Sequence, residues 1–123
     1  MILLGDTLVP YEDIFYINSI DDIKNSKANS TLVFSYKDEL LKYCFENSLL
    51  YAVLVKSLKE AIYANALNAK YIVCDKNLDK SIQDIAENYM FDSKILSIIE
   101  NSDEIENIAS KQIDGVIYKK LLG

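Results

Sequence analysis

The chain has 123 residues, half of them hydrophobic, and a net charge of −6 at pH 7. That length suits one domain, residues 1–123, with a hydrophobic core of its own. The acidic balance disfavours nucleic acid and membrane surfaces as partners, because both attract basic proteins. The sequence has no His, and all 13 basic residues are Lys. Since His is the usual general base and metal ligand and Arg clamps phosphate, we expect neither a metal nor a cofactor.

The first residues and the two cysteines indicate the cellular compartment. Residues 1–6 lack the basic segment of a secretory signal and reach Asp6 early. No apolar stretch approaches the ~18 residues that a membrane span needs. Cys44 and Cys74 belong to no CxxC pair and lie in apolar patterns, so we predict buried structural thiols. We therefore expect a cytoplasmic protein.

The elements begin with two short apolar stretches. Ile2–Leu4 and residues 7–9 flank Gly5 and Asp6, and predict a small hairpin or an extra edge strand. From residue 14 onward, β-branched and aromatic runs alternate with helical patterns. Several runs are apolar on both faces, which is typical of buried parallel strands. The predicted strands cover residues 14–17, 32–34, 51–55, 71–74, 95–99 and 116–118.

Helix patterns fill the gaps between these strands. Apolar residues recur at intervals of three and four, for example Leu58, Ala61 and Ile62. Ser19 and Ser57 are followed three residues later by an acidic residue, as in a capping box. Ser102 precedes Asp103 and Glu104, which suit a helix start electrostatically.

This alternation predicts a three-layer α/β domain with a mostly parallel sheet of five or six strands. A flavodoxin-like or Rossmann-like open sheet is favoured, and a half-barrel completed by a second copy is the alternative. The last four predicted strands should be parallel neighbours. The last strand has no obvious protection as a sheet edge, so we expect a homodimer. Side chains predicted to be fully buried are Val53, Ile72, Val73, Ile98 and Val116.

A ligand site in such a sheet lies at the carboxyl ends of the strands. Lys56, Asp75 and Glu100 follow three successive predicted strands, and Ser57, Asn77 and Ser102 would complete the rim. A Lys between carboxylates could form a Schiff base, but its pKa should be raised, which favours an ion pair. We therefore expect a non-catalytic binding or protein-interaction module, with a small molecule or a protein as partner. The alternative is a lyase or aldolase that uses Lys56 with Asp75 or Glu100.

The second half of the chain also carries a family resemblance. Residues 58–73 and 103–117, the latter ending in Asp114-Gly115-Val116-Ile117, resemble helix–strand units of phosphate-binding TIM barrels. Indole-3-glycerol-phosphate synthase and quinolinate phosphoribosyltransferase are examples, and the resemblance covers residues 50–123. It implies a half-barrel-like arrangement. Glu100 stands where those barrels place phosphate-binding glycines, so the resemblance carries over no catalytic residue.

Overall fold

The computed structural model describes residues 1–123 and shows an α/β fold on one seven-stranded sheet, parallel throughout. Its strands are β1 (Ile2–Leu4), β2 (Ile14–Tyr16), β3 (Thr31–Ser35), β4 (Tyr51–Leu54), β5 (Tyr71–Cys74), β6 (Lys94–Ile99) and β7 (Gly115–Tyr118). The α-helices are α1 (Asp38–Glu46), α2 (Leu58–Ala66), α3 (Asp79–Asn88) and α4 (Ile105–Ser110). Short 3₁₀ helices cover Ile20–Asn25, Ser102–Glu104 and Lys119–Leu121. None of these helices combines the length and apolar character that a membrane crossing requires.

The strands follow one another across the sheet in chain order from β2 to β7, and β1 is added beside β7. The predicted parallel neighbours are therefore confirmed. The expected number of five or six strands is wrong, because Ile2–Leu4 pairs with β7 as a seventh strand. Residues 7–9 form no strand, so the hairpin does not exist.

All four α-helices pack on one face of this sheet. The larger hydrophobic core joins buried side chains of α1, α2, α3 and α4 to strand residues such as Phe34, Val53 and Ile72. A second core on the other face contains no α-helical residue. The expected three layers are therefore wrong. A strand that is apolar on both faces does not reveal whether helices or the sheet itself cover its second face.

The sheet covers its second face by curling into a half-barrel. Val33, Val73 and Leu96 on this inner face are fully buried although no α-helix covers them. Leu121 and Leu122 pack against the same core from the segment that follows β7. This segment reaches the far edge of the sheet, since a Cβ atom on Gly123 would lie 3.2 Å from the ring of Tyr16 in β2. The half-barrel of the alternative is observed, and its completion by a second copy stays a prediction.

The burial predictions hold with one exception. Val53, Ile72, Val73 and Val116 are buried, and so are the free thiols of Cys44 and Cys74. Ile98 is partly exposed. It is an inner-face residue near the carboxyl end of β6, where the half-barrel opens.

The sheet edges also differ from expectation. β7 lies between β6 and β1, so it is not the exposed edge from which we inferred a homodimer. The true edges are β1 and β2, each three residues long. The homodimer therefore stays a prediction, but an exposed edge at β7 no longer supports it. Light scattering tests it.

Candidate functional site

A cavity of about 710 Å³ opens at the carboxyl ends of the strands, on the inner face of the half-barrel. We call it the mouth cavity. Its wall comes from the ends of β4, β5, β6 and β7 and from residues 119–123, which fold back over the sheet. The lining residues are Leu54, Asp75, Lys76, Ile98, Glu100, Tyr118, Lys119, Lys120, Leu122 and Gly123.

The floor of the mouth cavity is apolar because strand periodicity carries the inner core to the end of the sheet. Ala52 and Leu96 are fully buried on the inner face. Side chains two positions later in a strand point the same way, so Leu54 and Ile98 continue this face and are only partly covered. Leu122 adds a third apolar side chain from the returning segment.

The rim of the mouth cavity carries both charge signs. Asp75 follows β5, Glu100 follows β6, and Lys119 and Lys120 follow β7. The Lys119 ammonium lies 3.8 Å from a Glu100 carboxylate oxygen, and both side chains are largely exposed. Such an exposed pair contributes little to stability.

Two further rim charges have no ion-pair partner. Asp75 and Lys120 take part in none of the ion pairs of the structure. The Lys120 ammonium lies 5.7 Å from the ring centroid of Tyr118. Its charge also helps to lower the pKa of Asp6, the carboxylate behind that ring. Lys120 is therefore engaged with Tyr118 and Asp6, whereas Asp75 is a rim charge without an ion-pair partner.

Tyr118 and Asp6 fix the wall on the β1 side. The Tyr118 hydroxyl donates a hydrogen bond of 2.7 Å to Asp6, which also accepts from the backbone N–H groups of Leu8 and Val9. The bond from Tyr118 is the main reason that the pKa of Asp6 lies below its ordinary value. The same bond raises the pKa of Tyr118. It joins the end of β1 to the end of β7.

Glu104 holds the loop that carries Glu100. Its carboxylate accepts hydrogen bonds from the Lys76 ammonium and from the backbone N–H groups of Glu100 and Asn101. These contacts, that of Lys76 first, lower the pKa of Glu104 to about 2. Glu104 was absent from the predicted site. Its spacing from Asn101 is the capping-box signal that could have identified it.

Only part of the predicted site comes together in the mouth cavity. Asp75 and Glu100 line it, whereas Lys56, Ser57, Asn77 and Ser102 do not. Asn77 is exposed in the turn before α3. Ser102 is exposed as the first residue of its 3₁₀ helix, and Asn101 caps that helix in its place.

Lys56 and Ser57 form the turn that leads from β4 into α2. The Lys56 backbone N–H donates 2.8 Å to Glu60, and the Ser57 hydroxyl accepts from the Glu60 N–H at 3.1 Å. Ser57 is thus the N-cap of α2. It lines a second cavity of about 690 Å³ between α1 and α2, which we call the outer groove. Phe45 and Tyr63 lie in its wall.

The amino end of the half-barrel is tied together by Glu12. Its carboxylate accepts hydrogen bonds from the Tyr71 hydroxyl at 2.5 Å and from Thr31 and Lys70 at 2.6 Å each. Partial burial alone would raise the pKa of Glu12, but the three hydrogen bonds outweigh it and the pKa is lowered. One side chain thus links the segment before β2 to β3 and β5.

Each titratable group with a shifted pKa keeps the protonation state that is ordinary for its type at pH 7. Burial raises the pKa of the Cys44 thiol to about 11 and that of Cys74 to about 12. Asp6, Glu12 and Glu104 have lowered pKa values and stay ionised. No group of three or more His, Cys, Asp or Glu residues is placed to hold a metal ion.

The comparisons with known proteins give no family for this chain. No family model matches the sequence, and no curated protein is significantly similar to it. The functional assignment therefore depends on the geometry of the mouth cavity.

Proposed function

We propose that the protein is a non-catalytic binding module that takes a small molecule in its mouth cavity. The observation that carries this proposal is the cavity itself, about 710 Å³ in volume, at the carboxyl ends of parallel strands. Ligand pockets have volumes of about 300–1,000 Å³ and combine apolar walls with a few polar groups. Leu54, Ile98 and Leu122 supply the apolar surface, and the charged rim supplies orientation.

Binding is favoured over the lyase or aldolase alternative. That reaction needs the Lys56 amine beside Asp75 or Glu100, and Lys56 does not line the cavity. A binding role uses the cavity as it stands.

A thermal-shift screen of small metabolites against three proteins tests the proposal. The variant Leu54→Trp fills the mouth cavity, and Tyr63→Trp places the same side chain in the outer groove. We expect compounds that raise the Tm of the wild type and of Tyr63→Trp but not of Leu54→Trp. A ligand at 100 times its Kd stabilises a protein by about 2.7 kcal/mol, which such a screen detects.

The unliganded Tm of each variant serves as the folding control. The proposal fails if no compound stabilises the wild type. It also fails if Tyr63→Trp removes the stabilisation while Leu54→Trp keeps it, since the ligand would then occupy the outer groove.

A further inference from the structure

We infer that the solvent face of α2 is the contact surface of a homodimer, in which two copies of the chain pack α2 against α2 in antiparallel orientation. The observation that carries this inference is the distribution of small and large side chains on the helix. Ala61 and Ala64 are fully buried in the core between helix and sheet, whereas Ile62 and Tyr63 are each 50% exposed. A helix that packs only on its own sheet has the opposite arrangement, with its large apolar side chains inward.

The neighbouring helices show that this surface is particular to α2. The helices α1, α2 and α3 have nine, nine and ten residues and pack on the same face of the sheet. The exposed residues of α1 are Asp38, Glu39, Lys42, Phe45 and Glu46, those of α3 are Lys80, Ser81, Asp84, Glu87 and Asn88, and those of α2 are Leu58, Lys59, Ile62, Tyr63 and Ala66.

We call the last of these three sets the α2 face. The exposed residues of α1 are charged except for Phe45, and those of α3 are all polar. On the α2 face, Lys59 alone is charged. A helix that is apolar on both sides is normally covered on both sides, so the α2 face is suited to a partner.

The charges of the α2 face favour a second copy as this partner. The chain has a net charge of −6, so most of its surfaces repel another copy. The α2 face exposes no carboxylate, since Glu60 is partly buried and accepts a hydrogen bond from the Lys56 backbone N–H. Lys59 lies in the first turn of α2, where the helix dipole repels a cation, and the last turn has no basic residue. In an antiparallel pair, each Lys59 lies beside the C-terminal end of the other α2, which attracts it.

The sizes of the side chains also fit an antiparallel pair. A two-fold axis at Ile62 places this residue against its counterpart and Leu58 against Ala66 of the second copy, because both lie four residues from Ile62 on the same stripe of the helix. A large side chain opposite a small one lets the helix axes approach to about 8–10 Å. Tyr63 and Phe45, which line the outer groove, lie at the border of this contact.

Sedimentation velocity at increasing protein concentration tests the inference. We expect the wild type to form a dimer with a Kd in the micromolar range. Ile62→Glu sets two carboxylates against each other at the axis and should raise this Kd at least about tenfold. Ser81→Glu adds the same charge to the exposed side of α3 and should leave the Kd unchanged. Circular dichroism and the Tm of both variants serve as the folding control.

Disulfide cross-linking locates the contact independently of the Ile62→Glu variant. Under oxidising conditions Ile62→Cys should form a covalent dimer, because the two new thiols face each other at the axis. Ser81→Cys is the matched control and should stay uncross-linked. The native thiols of Cys44 and Cys74 are buried and do not take part.

Two outcomes would overturn the inference. The first is a wild type that sediments as a monomer throughout the micromolar range. The second is a dimer that Ile62→Glu leaves intact and that Ile62→Cys does not cross-link, since another surface would then hold it. Neither outcome bears on the proposed function, because the mouth cavity lies on the other face of the sheet and stays open in the dimer.

Discussion

Gly115 of β7 lies directly against Ile2 of β1, and a Cβ atom on Gly115 would stand 2.4 Å from the Ile2 carbonyl oxygen. No L side chain fits there unless β1 moves. A Gly115→Ala substitution should therefore displace the edge strand and weaken the bond between Asp6 and Tyr118 at its end. We expect a loss of about 1–3 kcal/mol in urea denaturation, as overpacked sites show. Ser110→Ala on the nearby helix α4 is the control, and an equal effect of both substitutions would contradict the close contact.

Glu12 should make stability depend on pH at the amino end of the half-barrel. Its folded pKa is lowered, so the stability it contributes is present above the unfolded value near 4.5 and is lost as pH falls through the folded value. Glu12→Gln should cost about 1–3 kcal/mol at pH 7, because charged hydrogen bonds are lost. The substitution should also make the free energy of unfolding depend less on pH below about pH 5.

The matched control for Glu12 is Asp13→Asn. Asp13 forms an exposed ion pair with Lys27 at 3.2 Å and should contribute little. Asp6 and Glu104 also have lowered pKa values and keep part of the acid dependence in both variants. If the free energy of unfolding of Glu12→Gln falls below pH 5 as steeply as that of the wild type, the three hydrogen bonds add nothing to stability.

Two isoleucines on neighbouring strands should respond differently to truncation. Ile72 is fully buried against the helices, so Ile72→Ala should cost about 2–5 kcal/mol. Ile98 already borders the mouth cavity, so Ile98→Ala should cost less than half as much. Chemical denaturation of both variants measures the difference, and equal losses would mean that the cavity is closed in solution.

Lys111 neutralises a carboxylate inside the helix-facing layer. Asp79 is 1% exposed, and it accepts hydrogen bonds from Lys111 and from the Ser97 hydroxyl at 2.8 Å. Lys111→Met should cost about 3 kcal/mol in urea denaturation, because it leaves a buried charge unpaired. Adding Asp79→Asn should recover part of that loss. If Lys111→Met alone is neutral, the carboxylate has another source of compensation.

The local elements were predictable from the sequence, and their assembly was only partly so. The strands from β3 to β7 and the helices between them follow from apolar runs and periodic patterns, and parallel pairing follows from their alternation. β1 was ambiguous because three apolar residues at a sheet edge carry little periodicity. The curl was not predictable, because an apolar inner face looks the same under helices as inside a half-barrel.

The candidate site was likewise only partly predictable from the sequence. Asp75 and Glu100 could be placed together because strand ends meet at one edge of a sheet, and both line the mouth cavity. Lys56 was expected beside them and does not line the cavity. Ile98 was assigned to the core because only the curl and the returning segment make it part of a cavity floor. Lys120 and Leu122 lie in that segment, whose path back over the sheet no local pattern encodes.

The most direct test of the proposed binding site is a methyl-detected NMR titration with a ligand from the screen. We predict that the methyl signals of Leu54, Ile98 and Leu122 shift together as the cavity fills. The methyl signals of Leu41 and Leu67 in the outer groove should stay in place. Shifts of Leu41 and Leu67 without any change at Leu54, Ile98 and Leu122 would contradict the account.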